Sequence, residues 1–138
     1  MNRTDLQTLS QTRLADAQAL IVAGQWAGAY YLAGYAVECA LKACIAKRIQ
    51  QHEFPDKQLA QDSYVHDLTK LRKVAGLEGD WGAAIAAAPA LATNWTSITD
   101  WSERSRYSTT TTEQRARDFI TACTAAPNGI LTWIQNHW

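Results

Sequence analysis

Glu38 and Lys42 stand inside "YLAGYAVECALKACIAKR", residues 31–48, a stretch that is otherwise apolar for most of its length. They are four apart with the acid nearer the amino end, the favourable order for an ion pair on one helix face, worth about 0.2–0.5 kcal/mol when exposed. Burial makes such a pair costly unless further groups complete its hydrogen bonds, and His66, Arg104 and Arg106 are the candidate partners. "ERSRY", residues 103–107, is the best ligand candidate. The forked guanidinium groups of Arg104 and Arg106 suit phosphate oxygens, and Tyr107 adds an aromatic face and a hydroxyl. A solvated pair of Glu103 with one arginine is the plainer reading of the same residues. His66 opens a helical stretch, where it or Asp67 can cap free amides without any ligand. Lys70, Arg72 and Lys73 read first as a wet helix face and second as a small basic rim. Among the six tryptophans, Trp26, Trp81 and Trp133 read as core or dimer contact. Trp95 and Trp101 are nearer to functional candidates, because Trp101 immediately precedes the arginine loop.

The same inventory excludes several chemistries. His52, His66 and His137 are scattered, with no cysteine at ligand spacing to them, so no metal site is expected. The seven glycines are isolated, and none precedes a Lys-Ser or Lys-Thr pair, so there is no glycine-rich phosphate loop. Cys39 and Cys44, five apart on a helix, point about 140° away from each other and form neither a metal pair nor a disulfide. Lysine plus arginine and aspartate plus glutamate balance at 13 each, leaving no overall field to hold nucleic acid or an anionic membrane. Any phosphate binding is local. Reduced, buried thiols and the polar start "MNRTDLQTLSQTR" fit a cytoplasmic protein, and export is not expected.

A chain of 138 residues is expected to form one domain, residues 1–138. Trp26 to Ala46 is about long enough to cross a membrane, but Glu38 and Lys42 would each cost about 2.5–3.5 kcal/mol in hydrocarbon. A central helix covered on all sides is the better reading, and it predicts a bundle. Leu6, Leu9, Leu14, Ala17, Leu20 and Ile21 recur at helical spacing before it, with Gly24 placed to end that first helix. "QQHEFPDKQLAQDSYV" after it reads as a long connection. "HDLTKLRKVAGL" offers Leu68, Leu71 and Ala75 on one face of a short helix that Gly76 stops. The alanine-rich run from Asp80 to Trp101 is helical but broken at Pro89, which starts a second piece. "SERSRYSTTTT" reads as a loop, with Thr110 and Thr111 placed to form a capping box with Glu113 and Gln114. The last helix turns Phe119, Cys123, Ile130, Leu131 and Ile134 inward and is bent or split by Pro127, Asn128 and Gly129. The expected fold is all-α, a mostly antiparallel bundle of four main helices plus a short one.

"AYYLAGYAVECALKACIA", "FPDK", "HDLTKL", "NWTSITDWSERSRY" and a closing "ILTWIQNHW" occur in that order along the chain. Together they resemble a HEPN domain, the higher-eukaryote and prokaryote nucleotide-binding family, over almost the whole length. The resemblance implies a bundle that commonly dimerises, found in toxin–antitoxin pairs with small nucleotidyltransferases, in RNA-cleaving toxins and in nucleotide-binding accessory domains. It also places Glu38 on the central helix, His66 at the start of the next and the arginine loop after the fourth, where they can converge. The site candidates are therefore Glu38, Lys42, His66, Trp101, Arg104, Arg106 and Tyr107.

The ribonuclease branch of that family carries an arginine followed after four to six residues by a histidine. Arg48 and His52 have only three residues between them, and Arg115 and Arg117 precede His137 by far too many. The leading expectation is a non-catalytic domain that binds a nucleotide or RNA phosphate, as a homodimer and beside a nucleotidyltransferase partner. It has no catalytic residue, metal or cofactor. One alternative is a metal-independent endoribonuclease toxin with a departed active site, and another is a helical assembly module that binds no ligand.

Overall fold

The computed structural model describes residues 1–51 and 57–138, and among these every regular element is helical. The elements are α1 (Arg3–Val22), α2 (Trp26–Gln51), α3 (Lys57–Asp62), α4 (Leu68–Val74), α5 (Glu78–Ala87), α6 (Pro89–Ile98), a 3-10 turn (Glu103–Tyr107), α7 (Glu113–Thr124) and α8 (Ile130–Gln135).

α1 starts at a capping box: the Asn2 side chain accepts from the Asp5 amide at 2.8 Å while the Asp5 carboxylate accepts from the Asn2 amide at 3.1 Å. This satisfies free amides at the helix start. Gly24, at φ +73°, then turns the chain tightly enough for α2 to return along α1. Ser10 closes that contact, its hydroxyl donating to the Ala36 carbonyl at 2.7 Å.

α2 is the centre of the fold. Ala36, Val37, Glu38, Cys39, Ala40 and Leu41 are buried in succession, which covers every face of the helix. The covering elements are α1, α4, α7, α8 and the 3-10 turn. Buried side chains from all helices except α3 join in one core cluster. None of these helices, among the described residues, is long and apolar enough to cross a membrane.

Pro89 occupies the first turn of α6, as its missing amide donor favours, and Gly76 ends α4 at φ +75°. α7 and α8 are the two pieces of the split last helix, with Pro127, Asn128 and Gly129 between them. Asn94 holds that connection to α6, its amide donating to the Asn128 carbonyl at 2.7 Å.

Three expectations need correction. The stretch after α2 is not a plain connection, because Lys57–Asp62 forms α3; His52 and most of "FPDK" lie outside the described residues. "ERSRY" is not an irregular loop but a 3-10 turn. The cap of α7 is Thr112, whose hydroxyl accepts from the Arg115 amide at 3.1 Å, rather than Thr110 or Thr111. Thr111 instead meets Ser108, hydroxyl to hydroxyl at 3.1 Å.

Candidate functional site

The apolar surroundings of Glu38 leave it 2% exposed, so its charge must be met inside the fold. α2 itself supplies one partner, Lys42, one turn on, whose ammonium lies 2.9 Å from Glu38 Oε1. The start of α4 supplies the other. Asp67 takes the cap of that helix, accepting from the Lys70 amide at 2.8 Å. His66, just before it, is thereby left to turn inward, and its Nδ1 lies 2.7 Å from the same Oε1. The other ring nitrogen, Nε2, is 3.0 Å from Oε2 of Glu103 on the 3-10 turn. Three stretches distant in sequence thus form one line, Lys42–Glu38–His66–Glu103.

The chemistry of this line follows from its donors. Ionised carboxylates only accept, so both His66 contacts are hydrogen bonds when the ring carries a proton on each nitrogen. The imidazole then sits between two acids and has no free atom with which to accept a proton. Glu38 Oε1 takes both partners, while Glu38 Oε2 is buried without a hydrogen-bond partner among the described residues.

Two clefts flank the line. Glu38 and Lys42 line one of about 460 Å³ between α1, α2 and α3. His66 lines the other, of about 240 Å³, with Trp101, Glu103 and Arg104. Arg104 is exposed at the rim of this second cleft. Arg106, further along the same turn, is exposed, with its guanidinium 4.8 Å from the Tyr107 ring centroid. Hydrogen bonding to Tyr107, with a smaller contribution from Tyr31, raises its already high basicity. It is a permanent cation facing water.

The predicted residues therefore divide. Glu38, Lys42 and His66 converge. Arg104 borders them without touching Glu38, and Arg106 and Tyr107, the latter 73% exposed, lie further out. The arginines were expected to complete the hydrogen bonds of Glu38, but Glu103 of the same turn reaches the site, through His66. The alternative reading of Glu103 as the solvated partner of an arginine gives way to its contact with His66. A carboxylate one residue before Arg104 was a signal, but its direction depends on the 3-10 turn.

Trp101 is part of the core rather than an open platform: it is 3% exposed and stacks on Tyr31, with ring centroids 6.3 Å apart. It fits because residue 34 is glycine; a Cβ there would stand 2.0 Å from the indole. Arg72 is corrected as well. It is buried, not part of a wet face, with its guanidinium 4.6 and 4.5 Å from the Trp81 and Trp95 rings and 2.7 Å from Glu78. Lys70 and Lys73 are exposed as expected.

The three cysteines are buried and free. Burial, reinforced by the charge of Glu38, pushes the Cys39 thiol up to about 11, and burial pushes Cys44 up to about 12. Burial raises Cys123 too. They are protonated at neutral pH and poor nucleophiles. No cluster of three or more potential metal ligands occurs among the described residues.

The fold and site define an all-helical protein in which a buried carboxylate, Glu38, is tied through His66 to the half-exposed Glu103, with one cleft lined by Glu38 and Lys42 and another by His66 and Glu103. No protein-family model matches the chain, and neither a curated protein nor a solved structure resembles it significantly.

Proposed function

We propose that this is a HEPN-like, mostly antiparallel helical bundle that binds the phosphate of a nucleotide or RNA where His66 and Arg104 meet. The supporting observation is the contact of His66 Nε2 with a carboxylate oxygen of Glu103 at 3.0 Å. It marks a position beside Arg104 where the protein already seats an anionic oxygen. Glu103 is 41% exposed and swings into water at little cost, while Glu38 holds the imidazole in place from behind. A phosphate oxygen then replaces the carboxylate on Nε2, and the Arg104 guanidinium takes a second oxygen. Arg106 adds a solvent-screened attraction. The homodimer and the nucleotidyltransferase partner belong to this proposal through the HEPN resemblance alone.

Binding is favoured over cleavage because Glu38 holds Nδ1 of His66 and the phosphate oxygen takes the Nε2 that Glu103 gives up, whereas a general base needs a ring nitrogen free to take the 2′-hydroxyl proton. Titration with ATP and with a short RNA at low salt, followed by tryptophan fluorescence, tests the reading. Inorganic phosphate should compete, Arg104→Ala should weaken binding about tenfold, and Glu103→Gln should strengthen it. Absence of binding at low salt, or weaker binding by Glu103→Gln, refutes it and leaves the assembly module. RNA cleavage abolished by His66→Ala would instead establish the endoribonuclease.

A further inference from the structure

The oxygen of Glu38 that the line does not use lies in a residue that borders the larger cleft. Oε2 is buried and has no hydrogen-bond partner among the described residues, and with the side chain only 2% exposed a donor in the cleft meets it as the carboxylate turns toward the wall. An acceptor in that position carries an unmet desolvation cost. The cleft has about 460 Å³ of space, within the range of roughly 300–1,000 Å³ typical of small-molecule sites. Leu6 and Leu9 from α1 and Ile45 and Ile49 from α2 give it an apolar lining. Tyr35 lies in the wall, and Tyr64, 80% exposed, stands at the edge after α3. Met1, also among the exposed apolar residues, lines the cleft as well.

We infer that this cleft binds a small, neutral, aromatic heterocycle through one N–H group donated to Glu38 Oε2. The need for a donor follows from the unpartnered acceptor. The preference for a neutral one follows from Lys42, whose ammonium is 2.9 Å from the other oxygen of the same carboxylate. It already balances the charge and would repel a second cation at close range. The flat aromatic body follows from the apolar walls and the two tyrosines, which offer ring faces and edges. Cys39 and Tyr35 add no charge at neutral pH, since burial raises both. The site goes beyond the phosphate reading: it shares no lining residue with the His66 cleft and does not require phosphate binding.

The probes are 7-azaindole, its N-methyl derivative, which lacks the donor, and phenethylamine, a cation at neutral pH. Each is titrated into the full 15N-labelled chain while backbone amide shifts are followed. 7-Azaindole should shift the amides of Glu38, Cys39, Lys42 and Tyr64 saturably. The N-methyl compound should bind at least tenfold more weakly, as should 7-azaindole to Glu38→Gln. Because Glu38→Gln also disturbs His66, Ala46→Phe provides a second variant that fills the cleft from its wall; it should abolish the shifts while phosphate titration of the Arg104 region proceeds as in the parent. No saturable shift at millimolar probe, equal binding of the methylated compound, or tighter binding of phenethylamine would each overturn the assignment. Failure of phosphate to bind, with 7-azaindole binding intact, would refute only the function proposed above.

Discussion

Replacing Lys42 should cost more stability than neutralising Glu38, although the two form one ion pair. The asymmetry comes from burial. Glu38 is 2% exposed, whereas the Lys42 and His66 side chains are 23% and 39% exposed and can reach water. Lys42→Met leaves a buried carboxylate whose remaining partner, His66, is shared with Glu103. Removing one member of a buried pair costs about 3–5 kcal/mol; the adjoining cleft and the retained imidazole place this case near 3 kcal/mol. At about 3 °C per kcal/mol for a chain of this size, the melting temperature should fall by about 9 °C. Glu38→Gln keeps an acceptor for its neighbours and strands no charge, so its expected cost is about 1 kcal/mol, or about 3 °C. The double variant should then be about 2 kcal/mol more stable than Lys42→Met alone. Urea unfolding at pH 7, followed by circular dichroism on all four proteins, measures the cycle. Additive costs, or a Lys42→Met variant no less stable than Glu38→Gln, would show that Glu38 is not held as a buried charge and would remove the physical basis of the site.

Gly34→Ala should unfold or rearrange the region around the 3-10 turn, because its Cβ would meet the Trp101 indole at 2.0 Å and that ring is buried. A cost of at least about 3 kcal/mol, with loss of near-UV signal, is expected; a variant as stable as the parent would refute the packing. The thiols set an alkaline limit. An unfolded cysteine releases its proton near pH 8.5–9, while folded Cys39 and Cys44 hold theirs to about 11 and 12. Above pH 9 the unfolded state therefore binds fewer protons, and stability falls as pH rises, by about 1.4 kcal/mol per unit for each thiol. Urea midpoints between pH 8 and 10.5 should fall less steeply in Cys44→Ala; an unchanged slope refutes the assignment.

The sequence was most legible where local chemistry decides. Gly24 and Gly76 both stop helices with positive φ, Pro89 starts one, and the predominantly apolar character of α2 places it in the centre. Legibility declined where a residue had two local options and tertiary contact chose between them. Asp67 and His66 were equally placed to cap α4, and only the position of Glu38 across the interface shows why the carboxylate caps while the imidazole turns inward. Arg72 has the spacing of a surface residue on a short helix, yet α5 and α6 bring two tryptophans over it and Glu78 pairs with it. No pattern within α4 carries that information.

The 3-10 turn shows the same limit at the site itself. Five consecutive residues contain one acid and two bases, and an extended or irregular loop would let any of them face α2. The 3-10 winding divides them: Glu103 and Arg104 border the His66 cleft, and Arg106 does not. Glu103, nearest the buried Trp101 that anchors the turn against Gly34, reaches His66, while Arg106 emerges beyond it over Tyr107. The anchoring tryptophan thus selects an acid for contact and leaves Arg104 and Arg106 without a carboxylate partner among the described residues. On the phosphate reading proposed above that division matters, because an arginine not paired with a carboxylate keeps its charge for a ligand.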